Sequence, residues 1–231
     1  MEHAYMSTEA PTAEARATLT HIDLFKTDIE TLPGWIAECA QLRELNLCGC
    51  VYLTALPDWI GRLGALQKLY LAGSGITTLP ASLGGLKALT DLHMDDCNLL
   101  RTLPESFCDL TSLARLSFHR SGISALPERL KDLTGLRVLD LNMCRNVQTL
   151  PALPTGLDTL DLSYTYITQL PACFSQLAEL RVLELFKCKQ LRVSAAELKA
   201  LPALRELSIA EIELVCVFGP DGRNQIDTLF V

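Results

Sequence analysis

Along most of the chain, large apolar residues fall in a fixed frame, L-x-x-L-x-L, with polar residues between them. The frame starts at Leu19, Leu42, Leu66, Leu89, Leu113, Leu136, Leu157, Leu180 and Leu204. Successive starts lie 23, 24, 23, 24, 23, 21, 23 and 24 residues apart. The second and third apolar positions of each frame are two residues apart, the spacing of inward-facing side chains on a strand. Most frames are followed by an apolar residue and then Leu-Pro, as in ITTLP, ISALP and ITQLP. Proline fixes φ and donates no hydrogen bond, so this segment is expected to turn outside a sheet. The pattern predicts nine coils over residues 19–211, each carrying one short strand, with the strands parallel and the apolar residues forming one interior. Segments such as PGWIAECAQL and PERLKDLTGL have room for a helical turn or two on the convex side.

The spacing has a second layer. Eight residues after each frame begins stands Thr27, Cys50, Ser74, Cys97, Ser121, Cys144, Thr165 or Cys188, and Ile212 ends the series. Hydroxyl and thiol alternate. Cysteine coils continue as CVYL, CNLL, CRNV and CKQL, and hydroxyl coils run one residue shorter, as TDI, SGI, SGI and TYI. The repeating unit is therefore a pair of coils. Three residues are missing from the coil TLPALPTGL.

The alternation of LxLxxC with LxLxxT/S, each followed by a Leu-Pro turn, resembles the leucine-rich repeats of plant intracellular immune receptors. It also resembles leucine-rich-repeat type III effectors that plant-pathogenic bacteria inject into host cells, some of which join the repeats to a ubiquitin-ligase domain. The coil QTLPALPTGLDTLDLS is similar to the LPALP coils of those effectors. The resemblance implies an α/β leucine-rich-repeat solenoid, a curved right-handed horseshoe with its parallel sheet on the concave side. It implies a protein-binding module. An alternative is the substrate-recognition part of a ubiquitin ligase whose catalytic domain belongs to a longer protein or to a partner.

Composition narrows the partner. Almost half of the 231 residues are apolar (49%) and 20% are charged, so the chain can bury a substantial core. The net charge of −7 argues against nucleic acid, whose binding needs clustered Lys and Arg. No window approaches the run of about 20 apolar residues that spans a membrane. The start, MEHAYMSTEAPTAEARAT, lacks a secretory apolar stretch, which leads to the expectation of a cytoplasmic protein, or of the host cytoplasm if an export route reads that leader. The nine cysteines, an odd number, favour free thiols. Ladder cysteines two coils apart lie about 10 Å from each other at about 4.8 Å per coil, too far for a disulfide. Each ladder thiol or hydroxyl is expected to bond backbone inside the bend. Cys48, one residue from the ladder's own Gly49–Cys50 step, points instead to the concave face.

The outward residues of the nine strands form columns. The central column runs Asp23, Asn46, Tyr70, His93, Ser117, Asp140, Asp161, Glu184 and Ser208, and the following one includes Phe25, Asp95, His119, Asn142 and Phe186. The preceding column includes Asp91 and Arg115. The expected partner-binding set is Asp23, Phe25, Asn46, Tyr70, Asp91, His93, Asp95, Arg115, His119, Asp140, Asn142, Asp161, Tyr164, Glu184 and Phe186. His93, Asp95 and His119 have the side chains of a metal or acid–base site. A strand face offers no pocket that excludes water, so no metal, cofactor or catalysis is assigned. Asp140, Asp161 and Glu184 place like charges on three successive strands, an unfavourable arrangement that nothing in the repeat pattern requires. A protein partner with a basic segment would account for it. Residues 1–18 read as a leader or partial cap in which AEARAT forms a helical turn, and residues 212–231 as a hairpin-like cap around GPDGRN.

Overall fold

The computed structural model describes residues 9–209 and 213–215. Every frame yields a three-residue strand: β1 His21–Asp23, β2 Glu44–Asn46, β3 Lys68–Tyr70, β4 Asp91–His93, β5 Arg115–Ser117, β6 Val138–Asp140, β7 Thr159–Asp161, β8 Val182–Glu184 and β10 Glu206–Ser208. These nine form one open, fully parallel sheet in chain order, with β10 beside β8. The middle residue of the first eight strands is a buried Leu, or Ile22 in β1. Met94 and Phe118, directly after β4 and β5, take the third apolar place of their frames and are equally buried, because any long apolar side chain fills the stacked interior.

The convex side carries short 3-10 helices, at Gly34–Glu38, Asp58–Arg62, Ala81–Gly85, Glu105–Asp109, Leu130–Asp132 and Phe174–Gln176. The first four follow directly on Pro33, Pro57, Pro80 and Pro104, so proline sets the turn where the chain leaves the interior. In the shortened coil the guanidinium of Arg137 takes the place of the missing residues. Its Nη1 donates to the carbonyls of Thr134, Leu136 and Gly156 at 3.1–3.2 Å.

At the N-terminal end, α1 (Ala13–Thr18) is capped by the Thr12 hydroxyl and tied down by an Arg16–Glu38 ion pair of 3.1 Å. It buries no residue. At the other end the frame is interrupted by β9 (Arg192–Ser194) and α2 (Ala195–Lys199), whose Ser194 and Glu197 form a reciprocal capping box. β11 (Glu213–Val215) pairs with β9 in parallel, and the remainder of the expected hairpin cap lies outside the described residues. Among the described residues no helix is long and apolar enough to cross a membrane.

Candidate functional site

The ladder behind the sheet determines how its edge is shaped. Cys50, Cys97, Cys144 and Cys188 are fully buried and donate their thiols to the carbonyls of Leu24, Leu71, Phe118 and Leu162 at 2.9–3.1 Å. Each thiol also lies 3.5–3.7 Å from the hydroxyl of the preceding coil, at Thr27, Ser74, Ser121 and Thr165. The pair of coils is thus a physical unit, joined through one shared bend. Burial pushes the Cys97 and Cys144 thiols up to about 11, so they stay protonated as donors.

The residue before each ladder position adopts a left-handed backbone in all eight coils. Only two of the eight are glycine, Gly49 and Gly73; the others are Lys26, Asp96, Arg120, Met143, Tyr164 and Lys187, with φ between 54° and 60°. This regularity was invisible in the sequence because six of its positions carry ordinary side chains. The strain is held by the ladder: the following Thr27 N–H bonds the Leu24 carbonyl, while Lys26 N–H bonds Cys48 on the next coil.

The columns meet in register as the frame predicts, for example Asp140 beside Asp161 and Asp161 beside Glu184. Their side chains have local tasks that sequence reasoning missed. Asp23 accepts from Phe25 N–H at 2.9 Å and from the Asn46 amide at 3.0 Å. Asn46 accepts from Cys48 N–H at 3.0 Å. Asp140 accepts from Asn142 N–H at 2.7 Å, and Asp161 from Ser163 N–H at 2.8 Å and from the Asn142 amide at 3.0 Å. Asp and Asn at the end of a strand thereby satisfy backbone donors that the turn leaves without strand partners. The expectation that nothing in the repeat requires the acidic column is corrected for Asp140 and Asp161. Glu184 alone of the three makes no such bond among the described residues.

The Asp95–His119 pairing also takes a different form. The Asp95 carboxylate bonds the Ser117 hydroxyl and the His119 backbone N–H, not the imidazole. Asp91 pairs with Arg115 at 3.7 Å and accepts the Thr90 hydroxyl at 2.7 Å. The rings of Tyr70 and His93 lie 5.2 Å apart. Tyr164 and Phe186 meet edge to face at 5.4 Å with the Lys187 ammonium near both rings, and Phe25 is half exposed under Lys26. Among the described residues no three His, Cys, Asp or Glu side chains are grouped to hold a metal.

A family profile described as a leucine-rich repeat region matches residues 34–152, just over half of the chain. The chain belongs to the leucine-rich-repeat family. Its architecture is similar to that of a leucine-rich-repeat protein of Leptospira interrogans, with TM-score 0.57 and 25% identity over 91% of this chain and 66% of that one. It is similar also to TLR13 in a complex with the RNA ssRNA13, with TM-score 0.64 and 25% identity over 78% of this chain and 26% of TLR13. The leucine-rich-repeat chain therefore spans less than two thirds of either protein's length. No curated protein matches the sequence at a significant level. Leucine-rich repeats in general present an extended concave surface for protein recognition rather than a catalytic cleft.

Proposed function

We propose that this leucine-rich-repeat protein is a non-catalytic effector-type module that binds the basic segment of a partner protein across β6–β8 and the turns that follow them. The observation that carries this reading is Glu184. Among the described residues its carboxylate makes no hydrogen bond or ion pair, and it closes the acidic column two residues before Phe186, which meets Tyr164 edge to face. A cationic side chain reaching Glu184 would find a charge partner there. The net charge of −7 supports a protein rather than a nucleic acid. Eight cysteines among the described residues are free, six of them buried, which supports action in a reducing cytoplasm. The alternation of thiol and hydroxyl coils supports kinship with effectors and receptors that work there.

Affinity capture with mass spectrometry tests the reading. The same captured protein is expected to be depleted several-fold when Glu184→Gln is used as bait, and to be lost from the wild-type bait at raised salt, as a solvent-accessible charge contact requires. Glu184→Gln is the informative variant because the Glu184 side chain makes no hydrogen bond or ion pair among the described residues. Equal recovery by wild type and variant at low salt would overturn the proposal.

A further inference from the structure

The alternation of long and short coils makes a groove along the loop edge, beyond the concave face. The short coil at Ser121–Gly122 is recessed between the long coils at Cys97 and Cys144. Gly122 allows this, since a Cβ there would overlap the carbonyl oxygen of Asn98. The result is an open groove of about 450 Å³. Three arginines from three successive coils line it: Arg101, Arg120 and Arg145.

The repeat supplies its own comparison. At the equivalent short coil Ser74–Gly75, the positions matching Arg101, Arg120 and Arg145 are Thr54, Gly73 and Asn98. At Thr165 the matching residues are Gln148, Tyr164 and Lys189, and Tyr166 stands where the glycine would be. All three arginines thus converge on one groove of an acidic protein, and the solenoid needs none of them at these places.

The groove is also partly pre-organised. Arg101 Nη1 and the Asn146 amide both donate to the Gly122 carbonyl, at 2.9 Å and 3.1 Å, which fixes them on opposite sides of the floor. Arg120 is paired with Asp96 at 3.3 Å. Arg101 and Arg145 have no acidic partner among the described residues. Three guanidiniums less one carboxylate leave a charge of two to be matched. A carboxylate would match one of these charges. A phosphate monoester, with about −1.5 to −2 charge and three acceptor oxygens at neutral pH, matches both.

We propose that this groove binds a phosphorylated serine or threonine of a protein. The groove lies on the loop edge between residues 98 and 146, away from Glu184, and its ligand chemistry is opposite in sign, so it does not rest on the reading above. The test is amide-resolved NMR titration of the intact protein with three probes: N-acetyl-phosphoserine amide, N-acetyl-aspartate amide and a short single-stranded RNA. The phosphoserine probe is expected to shift the amides of Ser121, Gly122 and Asn146 and to bind about tenfold more tightly than the aspartate probe. Arg145→Gln, which removes no side-chain hydrogen bond or ion pair among the described residues, is expected to weaken it about tenfold, and Glu184→Gln to leave it unchanged. Affinity should fall between pH 7 and pH 5 as the phosphate passes its second pKa of about 6 and loses a charge. Absence of shifts, or equal affinity for the Arg145→Gln variant, would overturn the proposal. Tighter Arg145-dependent binding of the RNA than of phosphoserine would overturn it in favour of a nucleic-acid edge.

Discussion

Asn142 on the turn after β6 donates its side-chain amide to Asp161 on β7 at 3.0 Å, while its backbone N–H is held by Asp140 at 2.7 Å. One asparagine therefore sits between two carboxylates that face each other across the sheet. Burial raises the Asp140 pKa; the Asn142 N–H partly offsets this and Asp161 opposite adds to it. A folded-state pKa above the unfolded one means that the ionised form is disfavoured in the fold. The cost is fully present above the folded pKa and disappears as pH falls below the unfolded value. Asp140→Asn keeps an acceptor for the backbone N–H. It is expected to be more stable than wild type near pH 7 by about 0.5 kcal/mol, the scale of a facing like-charge pair. Urea unfolding at neutral pH and again at about pH 3, where carboxylates are protonated, should show the difference vanish.

The ladder thiols give an alkaline signature. Cys97 and Cys144 titrate near 11 in the folded chain against an ordinary value near 9, because burial penalises the thiolate. The folded state keeps its protons longer, so stability is intact below the unfolded value and falls as pH rises from there to the folded one. The loss is about 3 kcal/mol for each thiol over that interval. A Cys97→Ser, Cys144→Ser double variant, with the hydroxyl that alternate coils already use, should show a smaller alkaline loss in thermal melts.

Thiol reactivity should sort by position. Cys48 and Cys173 are partly exposed, whereas Cys50, Cys97, Cys144 and Cys188 are buried. Maleimide labelling of the folded protein, read by peptide mass spectrometry, should modify Cys48 well before Cys50. Equal rates at the two would show that the bend opens without unfolding.

Close approach of coils should make Gly122 intolerant. Gly122→Ala forces a Cβ onto the Asn98 carbonyl oxygen and is expected to cost about 3 kcal/mol. Gly34→Ala, where no heavy atom lies within 4 Å, should stay within about 0.5 kcal/mol of wild type. Chemical denaturation of the two variants checks the contrast.

The left-handed column should respond to substitution in opposite directions. Met143 sits at φ 60°, so Met143→Gly should stabilise by about 0.5 kcal/mol once the glycine's entropy is subtracted. Gly73 sits at φ 65°, and a Cβ there would meet only the Gly49 backbone at 3.9 Å, an ordinary contact, so Gly73→Ala should lose about 1 kcal/mol from backbone strain alone. Equilibrium unfolding would detect both.

The sequence by itself determined the number of strands in the main sheet, their parallel order and the residues that face each other. Those features follow from a period near 23–24 residues and from the alternation of side chains along a strand. A column such as His21, Glu44, Lys68 and Asp91 could be written down before any coordinates, because each coil repeats the last. Tertiary structure decided what the side chains in those columns do. Whether Asp161 meets Ser163 N–H or a neighbouring carboxylate depends on the turn, and the turn depends on left-handed residues that only occasionally are glycine. The meeting of Arg101, Arg120 and Arg145 likewise depends on a short coil lying recessed between two long ones. Period fixes which residues are neighbours; the distances between coils, set by bends and by Gly122, fix which neighbours can act together.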